Sequence, residues 1–207
     1  MKILHLLSNW KWTERSEPAA DLALAQQKAG AEVCFVCGAT PRDNEKVNGV
    51  LYNLERKGLN NAVALKMPKH LNPLALMSDV RELKKLRKRF KWDLIHAHMP
   101  NAHLTAAFLN KGPNKTKIVR QYYNPEHLRT DARSRKLLRR HTDGAVVVSA
   151  RMYGMVALEG VVTPDHICVA PPGVDLERFR PGRVLDVPQD LNFCLTPENF
   201  GVLIKSH

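Results

Sequence analysis

Ile167-Cys168-Val169-Ala170-Pro171-Pro172-Gly173-Val174-Asp175-Leu176-Glu177-Arg178-Phe179-Arg180-Pro181 is the stretch whose reading decides the fold. Ile167 and Val169 begin it as a buried strand, and Pro171-Pro172-Gly173 stops that strand abruptly. A short Asp-Leu-Glu-Arg-Phe turn follows and ends at Pro181. A sharp stop and redirection of this kind belongs to a parallel strand reaching the carboxyl edge of its sheet.

Outward from that point, β-rich runs alternate with helical spacing along the whole chain. Strands are expected at Ile3–Ser8, Glu32–Cys37, Ala62–Met67, Asp93–His98, Lys117–Tyr122, Gly144–Ser149 and Ile167–Ala170. Helices are expected at Pro18–Ala29, Leu76–Phe90, Ala102–Asn110, Pro125–Arg140 and Arg151–Leu158. In the second of these, Val80, Leu83, Leu86 and Phe90 fall on one face. Continuous apolar strands alternating with helices predict a parallel sheet covered on both sides. The expectation is an α/β, doubly wound, Rossmann-like domain of about seven strands over residues 1–181, with 182–207 as an extension or the start of a linker.

The composition is that of a globular protein, and no apolar run approaches the ~20 residues of a membrane span. The N-terminus reads as a first strand and not as a signal peptide, so a cytoplasmic protein is expected. Cys34 and Cys37 form a C-x-x-C string, but an odd separation on a strand sends the two thiols to opposite faces. No partner set completes a metal site, and none is expected. The net charge of +12 is the outlier; it favours phosphorylated ligands, anionic lipid or nucleic acid. Arg81–Lys91 holds seven basic residues against one acidic, and Arg129–Arg140 six against one. An anionic membrane surface is one reading of these segments, and a solvated cationic helix is the other. Nucleic acid is disfavoured, because aromatic residues are sparse and no recognition motif is present.

In open α/β sheets ligands bind beyond the carboxyl ends of the strands. That rule selects Ser8–Glu17, Gly38–Arg42, His96–His103, Gln121–Asn124, Ser149–Arg151 and Pro171–Asp175. Lys11 and Arg15 are candidates for phosphate contacts, and Trp10 and Trp12 for stacking on a sugar. Asn101, Tyr122, Ser149, Arg151 and Gly173 are candidates by their place at strand ends, Ser149 also as a helix N-cap. The strongest constellation is Asp93-Leu94-Ile95-His96-Ala97-His98-Met99-Pro100-Asn101-Ala102. His96 and His98 share a face, and His98 reaches the carboxyl end, where an imidazole can serve a sugar hydroxyl.

Two segments then carry a family resemblance. Ile167–Pro181 resembles the pattern closing the first domain of GT-B-fold glycosyltransferases of family four, Ile-x-Val-x-Pro-Asn-Gly-Val-Asp-x-x-x-Phe-x-Pro. His96-x-His98-x-Pro100-Asn101-Ala102 is similar to the same region of the phosphatidylinositol mannosyltransferases in that family. There the second histidine lines the reaction centre, which puts the catalytic role on His98. Met99 stands where that motif has an acidic residue, and the first loop lacks the family's glycines. The resemblance implies retaining, metal-independent transfer of a sugar from a nucleotide-activated donor, with no bound cofactor. It implies a sugar or lipid-linked sugar acceptor held by this domain, for glycolipid or cell-surface polysaccharide synthesis. The donor is gripped in such enzymes by a second domain, whose signatures do not follow Pro181. The chain alone is therefore expected to lack the donor site and to work with a separate donor domain, peripheral on the inner face of the membrane. The alternative is a stand-alone binding domain for a glycolipid or anionic ligand.

Overall fold

A computed structural model describes residues 1–111, 115–128 and 132–173 of the chain. Asp175, Phe179, Pro181, the 182–207 extension and Arg129 of the second basic segment lie outside the described residues.

Seven strands form one wholly parallel sheet: β1 (Lys2–Leu7), β2 (Glu32–Gly38), β3 (Ala62–Leu65), β4 (Leu94–Ala97), β5 (Lys117–Tyr122), β6 (Gly144–Val147) and β7 (Ile167–Val169). Their order is β3-β2-β1-β4-β5-β6-β7. The direction of strand addition therefore reverses between β1 and β4, where a doubly wound sheet opens its ligand crevice. Between the strands run α1 (Ser16–Lys28), α2 (Val50–Arg56), α3 (Pro73–Arg89), α4 (Pro100–Leu109), α5 (Ala132–His141) and α6 (Ala150–Glu159).

The central strands are largely apolar because helices cover both faces, whereas at the sheet edge Ile167 is buried and Val169, expected inside, is 43 % exposed. Ile3, Leu4, Leu6, Leu7, Phe35, Val36 and Ile95 have no exposed surface. On α1 the buried face is Ala19, Ala20 and Ala23, small residues that let the helix axis lie close to the sheet. Gly38 permits a second close approach, since a Cβ there would stand 2.8 Å from the Trp10 nitrogen and 2.9 Å from the Asn9 carbonyl carbon. Its N–H donates to the Asn9 carbonyl at 2.9 Å. The glycine that brings the first loop against the sheet thus sits at the end of β2, outside that loop.

Four departures from the sequence reading have local causes. Helix α2 was absent from it, because seven residues with only Val50 and Leu54 buried give too short a periodic signal. Helix α3 begins before Leu76, where Asn72 caps it by accepting from the Ala75 N–H at 3.1 Å and Pro73 occupies the first turn. The expected helix over 125–140 is instead a 3-10 turn at Pro125–Leu128 and the separate α5. Strand β3 stops at Leu65, and Met67 then adopts φ 29°. That left-handed turn is held by Asp79 of α3, whose carboxylate accepts from the Lys66 and Met67 N–H groups at 3.0 and 2.9 Å.

Candidate functional site

The reversal between β1 and β4 places His5 directly opposite His96 in register. With His98, one pleat further, they form a stack of three histidines that are each at most 4 % exposed. The His96 and His98 rings lie 4.5 Å apart at 20°, and the His5 and His98 rings 5.2 Å apart at 11°. Phe35 of β2 stacks on the outer side of His5 at 5.6 Å.

Hydrogen bonds thread this stack. Tyr123 Oη lies 2.8 Å from His98 Nδ1, His98 Nε2 lies 2.9 Å from His5 Nδ1, and His5 Nε2 lies 2.7 Å from Gln26 Oε1. His96 Nε2 is buried and has no hydrogen-bond partner. Burial penalises the charged imidazole, and it pushes His5 down to about 4 against a small opposing pull from Gln26. His96 falls to about 3 through burial, with the neighbouring His5 and Arg120 adding to the effect. His98 lies well below the usual range for the same reasons. All three rings are neutral at physiological pH. A neutral imidazole with so acidic a conjugate acid is a weak base, and its chemistry is hydrogen bonding to hydroxyls.

Three clustered histidines invite a metal, and one nitrogen from each can be found within 4.8 Å of the others. In the structure the His5–His98 hydrogen bond occupies two of their six ring nitrogens.

The other residues singled out by sequence are scattered. Lys11 is exposed in the first loop, its backbone bridged to Gly49. Arg15 lies 3.5 Å from Glu14 and 3.9 Å from Glu126, so its charge ties the first loop to the turn after β5. Trp12 packs on the core with Lys57 Nζ over its ring at 5.5 Å. Asn101 donates to the Pro68 and Lys69 carbonyls at 3.2 and 2.7 Å and holds the loop after β3. Tyr122 is 3 % exposed, beneath the guanidinium of buried Arg120. Ser149 is the N-cap of α6, accepting from Met152 N–H at 3.3 Å, while Arg151 and Gly173 are exposed. Cys34 and Cys37 are buried, and burial raises their thiols to about 11 and about 12.

Two walls of the crevice meet at a shallow depression with room for about one water, lined by Ser8, Met67, Pro68, Asp79, Asn101 and Thr105 among others. Ser8 accepts there from the Ala102 N–H at 3.2 Å and fixes the start of α4 against the end of β1. Tyr123 falls in the strand end Gln121–Asn124 that the carboxyl-edge rule selects, whereas His5 and Gln26 carry no sequence signal of their own. His5 lies inside an apolar strand and Gln26 inside an ordinary helix, so only strand order joins them to His98.

Solved structures share this architecture. The Anabaena protein Alr3699/HepE in complex with UDP and glucose matches at 16 % identity and TM-score 0.60, over 86 % of this chain and 46 % of that one. A glycosyltransferase from Rickettsia africae matches at 16 % identity and TM-score 0.63, over 98 % and 48 %. A UDP-GlcNAc 2-epimerase from Neisseria meningitidis matches at 16 % identity and TM-score 0.53, over 82 % and 45 %. At such identities these likenesses show the fold alone, and the epimerase shows that the fold does not name a reaction. The chain spans about half the length of these proteins. No curated protein matches the chain by sequence. The family is shown by sequence over most of the chain: the model of Glycosyltransferase Family 4 matches residues 19–178, and the protein belongs to that family.

Proposed function

We propose that this domain is the acceptor-side half of a retaining glycosyltransferase that uses a nucleotide-activated sugar, in glycolipid or cell-surface polysaccharide synthesis. The observation that carries the reading is the His98–Tyr123 pair at the strand-order reversal. A neutral imidazole behind a phenol is suited to holding a hydroxyl and unsuited to titrating near neutral pH. In this reading the sugar nucleotide is gripped by a second Rossmann-like domain, joined to this one or supplied by a partner. Similarity to phosphatidylinositol mannosyltransferases at His96–Ala102 supports a lipid-linked acceptor.

Saturation-transfer NMR with a bacterial glycolipid fraction is expected to show sugar protons in contact with the purified 207-residue protein. The same protein is expected to release no UDP or GDP steadily from UDP-glucose, UDP-galactose, UDP-N-acetylglucosamine or GDP-mannose. Absence of any sugar contact removes the acceptor assignment. Steady turnover by this chain alone removes the proposed division of labour.

The acceptor's lipid fits the surface of α3. Leu74 and Met77 are 85 % and 59 % exposed, and Arg81, Lys84 and Lys88 continue the same stripe at helical spacing, all exposed. Ala75, Asp79, Val80 and Leu83 supply the buried face, so the helix does not need the stripe for its own burial. Apolar residues leading into cations suit an anionic bilayer. This supports a peripheral position on the inner face of the membrane, with Leu71 of the depression's rim also exposed. No helix among the described residues is long and apolar enough to cross a membrane. Phosphatidylglycerol-containing vesicles are expected to bind the protein, pure phosphatidylcholine vesicles not. Replacing Lys84 and Lys88 together by alanine should weaken that binding roughly 30-fold, at about 1 kcal/mol per lysine. Binding indifferent to lipid charge, or unaffected by 0.15 M against ~0.01 M salt, contradicts the assignment.

A further inference from the structure

Gln26, His5, His98 and Tyr123 come from α1, β1 and the residues just past β4 and β5, yet they form one unbroken hydrogen-bonded chain. Each neutral histidine in it donates through one ring nitrogen and accepts through the other. Such a chain has two self-consistent proton arrangements, of opposite sense. His5 and His98 have no exposed surface, so solvent supplies no substitute partner that would blur the choice.

The choice is made at the Gln26 end. Its Oε1 can only accept, and it faces His5 Nε2 at 2.7 Å. His5 therefore carries its proton on Nε2 and accepts at Nδ1. His98 must donate to it from Nε2, and so has Nδ1 free to accept from the Tyr123 hydroxyl. With the Gln26 amide nitrogen in that place every link would reverse, and the Tyr123 proton would be released toward the crevice.

We propose that Gln26 and His5 are positioning residues that set the hydrogen-bonding sense of the site, committing the Tyr123 proton inward so that its phenolic oxygen meets a ligand as an acceptor. The ligand group selected is then a hydroxyl donor. That half rests on the reading of this domain as the sugar-acceptor half, whereas the proton arrangement rests on the geometry alone. Both ends of the chain, Gln26 and Tyr123, are half-buried, and the two rings between them have no exposed surface. Burial holds the rings neutral, so the chain cannot escape the choice by taking up a proton.

Long-range proton–nitrogen NMR of the 15N-labelled protein reads the tautomers directly. Both His5 and His98 are expected as Nε2–H tautomers in the wild type. Gln26→Glu keeps a pure acceptor at the end and should leave both unchanged. Gln26→Met removes the acceptor, and His5 and His98 should shift together toward Nδ1–H. A wild-type Nδ1–H tautomer at His98 overturns the proposal, as does a Gln26→Met spectrum in which neither ring responds. A purely structural role for Gln26 would move stability in both variants and tautomers in neither. Correct tautomers beside absent sugar contacts would leave the positioning role standing and remove only the acceptor function.

Discussion

Unfolding free energy is expected to fall steeply as pH drops from about 6.5 to about 4, well before carboxylates dominate acid denaturation. His5 titrates at about 4 and His96 at about 3 in the folded protein, against 6.5 for the free side chain. A base whose folded pKa is depressed binds fewer protons folded than unfolded in that window, so acid favours the unfolded chain. The stability is full above 6.5 and is lost as pH falls toward the folded values. For His5 alone a shift of that size corresponds to about 3 kcal/mol, and His96 contributes in the same direction. Against a total of roughly 5–15 kcal/mol for a domain, that is enough to bring unfolding close to pH 4. The net charge of +12 adds self-repulsion as further protons bind. Urea unfolding at a series of pH values measures it, and His5→Gln should flatten the slope between 6.5 and 4. Equal urea midpoints at pH 7.5 and pH 5 would contradict the account of the cluster as three neutral, desolvated rings.

The second large effect concerns His98. Alanine there removes an imidazole that is fully buried and leaves two polar groups without partners, the Tyr123 hydroxyl and His5 Nδ1. The buried His5 Nδ1 left unpaired costs about 1–3 kcal/mol, and the vacated volume adds a cavity term of similar size. His98→Ala should therefore lose roughly 4 kcal/mol and about 10 °C in Tm. His98→Gln and His98→Asn each preserve one of the two links and should fall between alanine and wild type. An alanine variant within 1 kcal/mol of wild type would show that the chain of hydrogen bonds is not formed in solution. Lost sugar contact in the alanine variant alone would thus not distinguish a lost contact from unfolding. The amide variants make that distinction.

Buried Arg120 bears on both effects. Its Nη2 has no partner, and only Nη1 reaches the Ala97 carbonyl, at 3.3 Å. Burial lowers its pKa to about 10, which still leaves it charged at neutral pH. That charge helps keep His96, His98 and His103 neutral.

Much of the fold is written in local pattern. Runs such as Ile3–Leu7, Lys117–Tyr122 and Gly144–Val147 are strands because branched apolar residues follow one another without helical spacing. Gly30 and Gly160 end α1 and α6 at φ 87° and 66°, a conformation glycine adopts without Cβ strain. The position of His98 at the end of its strand was equally legible, because Pro100 cannot continue the ladder and instead opens α4. The buried face of α3 followed from spacing too, with Val80, Leu83 and Phe90 inside and Leu86 half-buried.

What the sequence could not contain is the neighbour of each strand. His5 and His98 are 93 residues apart and Gln26 lies on another element; no local pattern records that β1 pairs with β4 on one side and β2 on the other. That pairing decided that His98 is a buried, neutral link, that Tyr123 stands at the opening where Tyr122 does not, and that Arg15 spends its charge on Glu126. Local periodicity sets which residues face a core, because it reflects backbone geometry of 3.6 or 2 residues per repeat. Chemistry at a site depends on groups brought together across the sheet, on the dielectric they share and on which partners remain for each polar atom. Those are properties of the assembled fold.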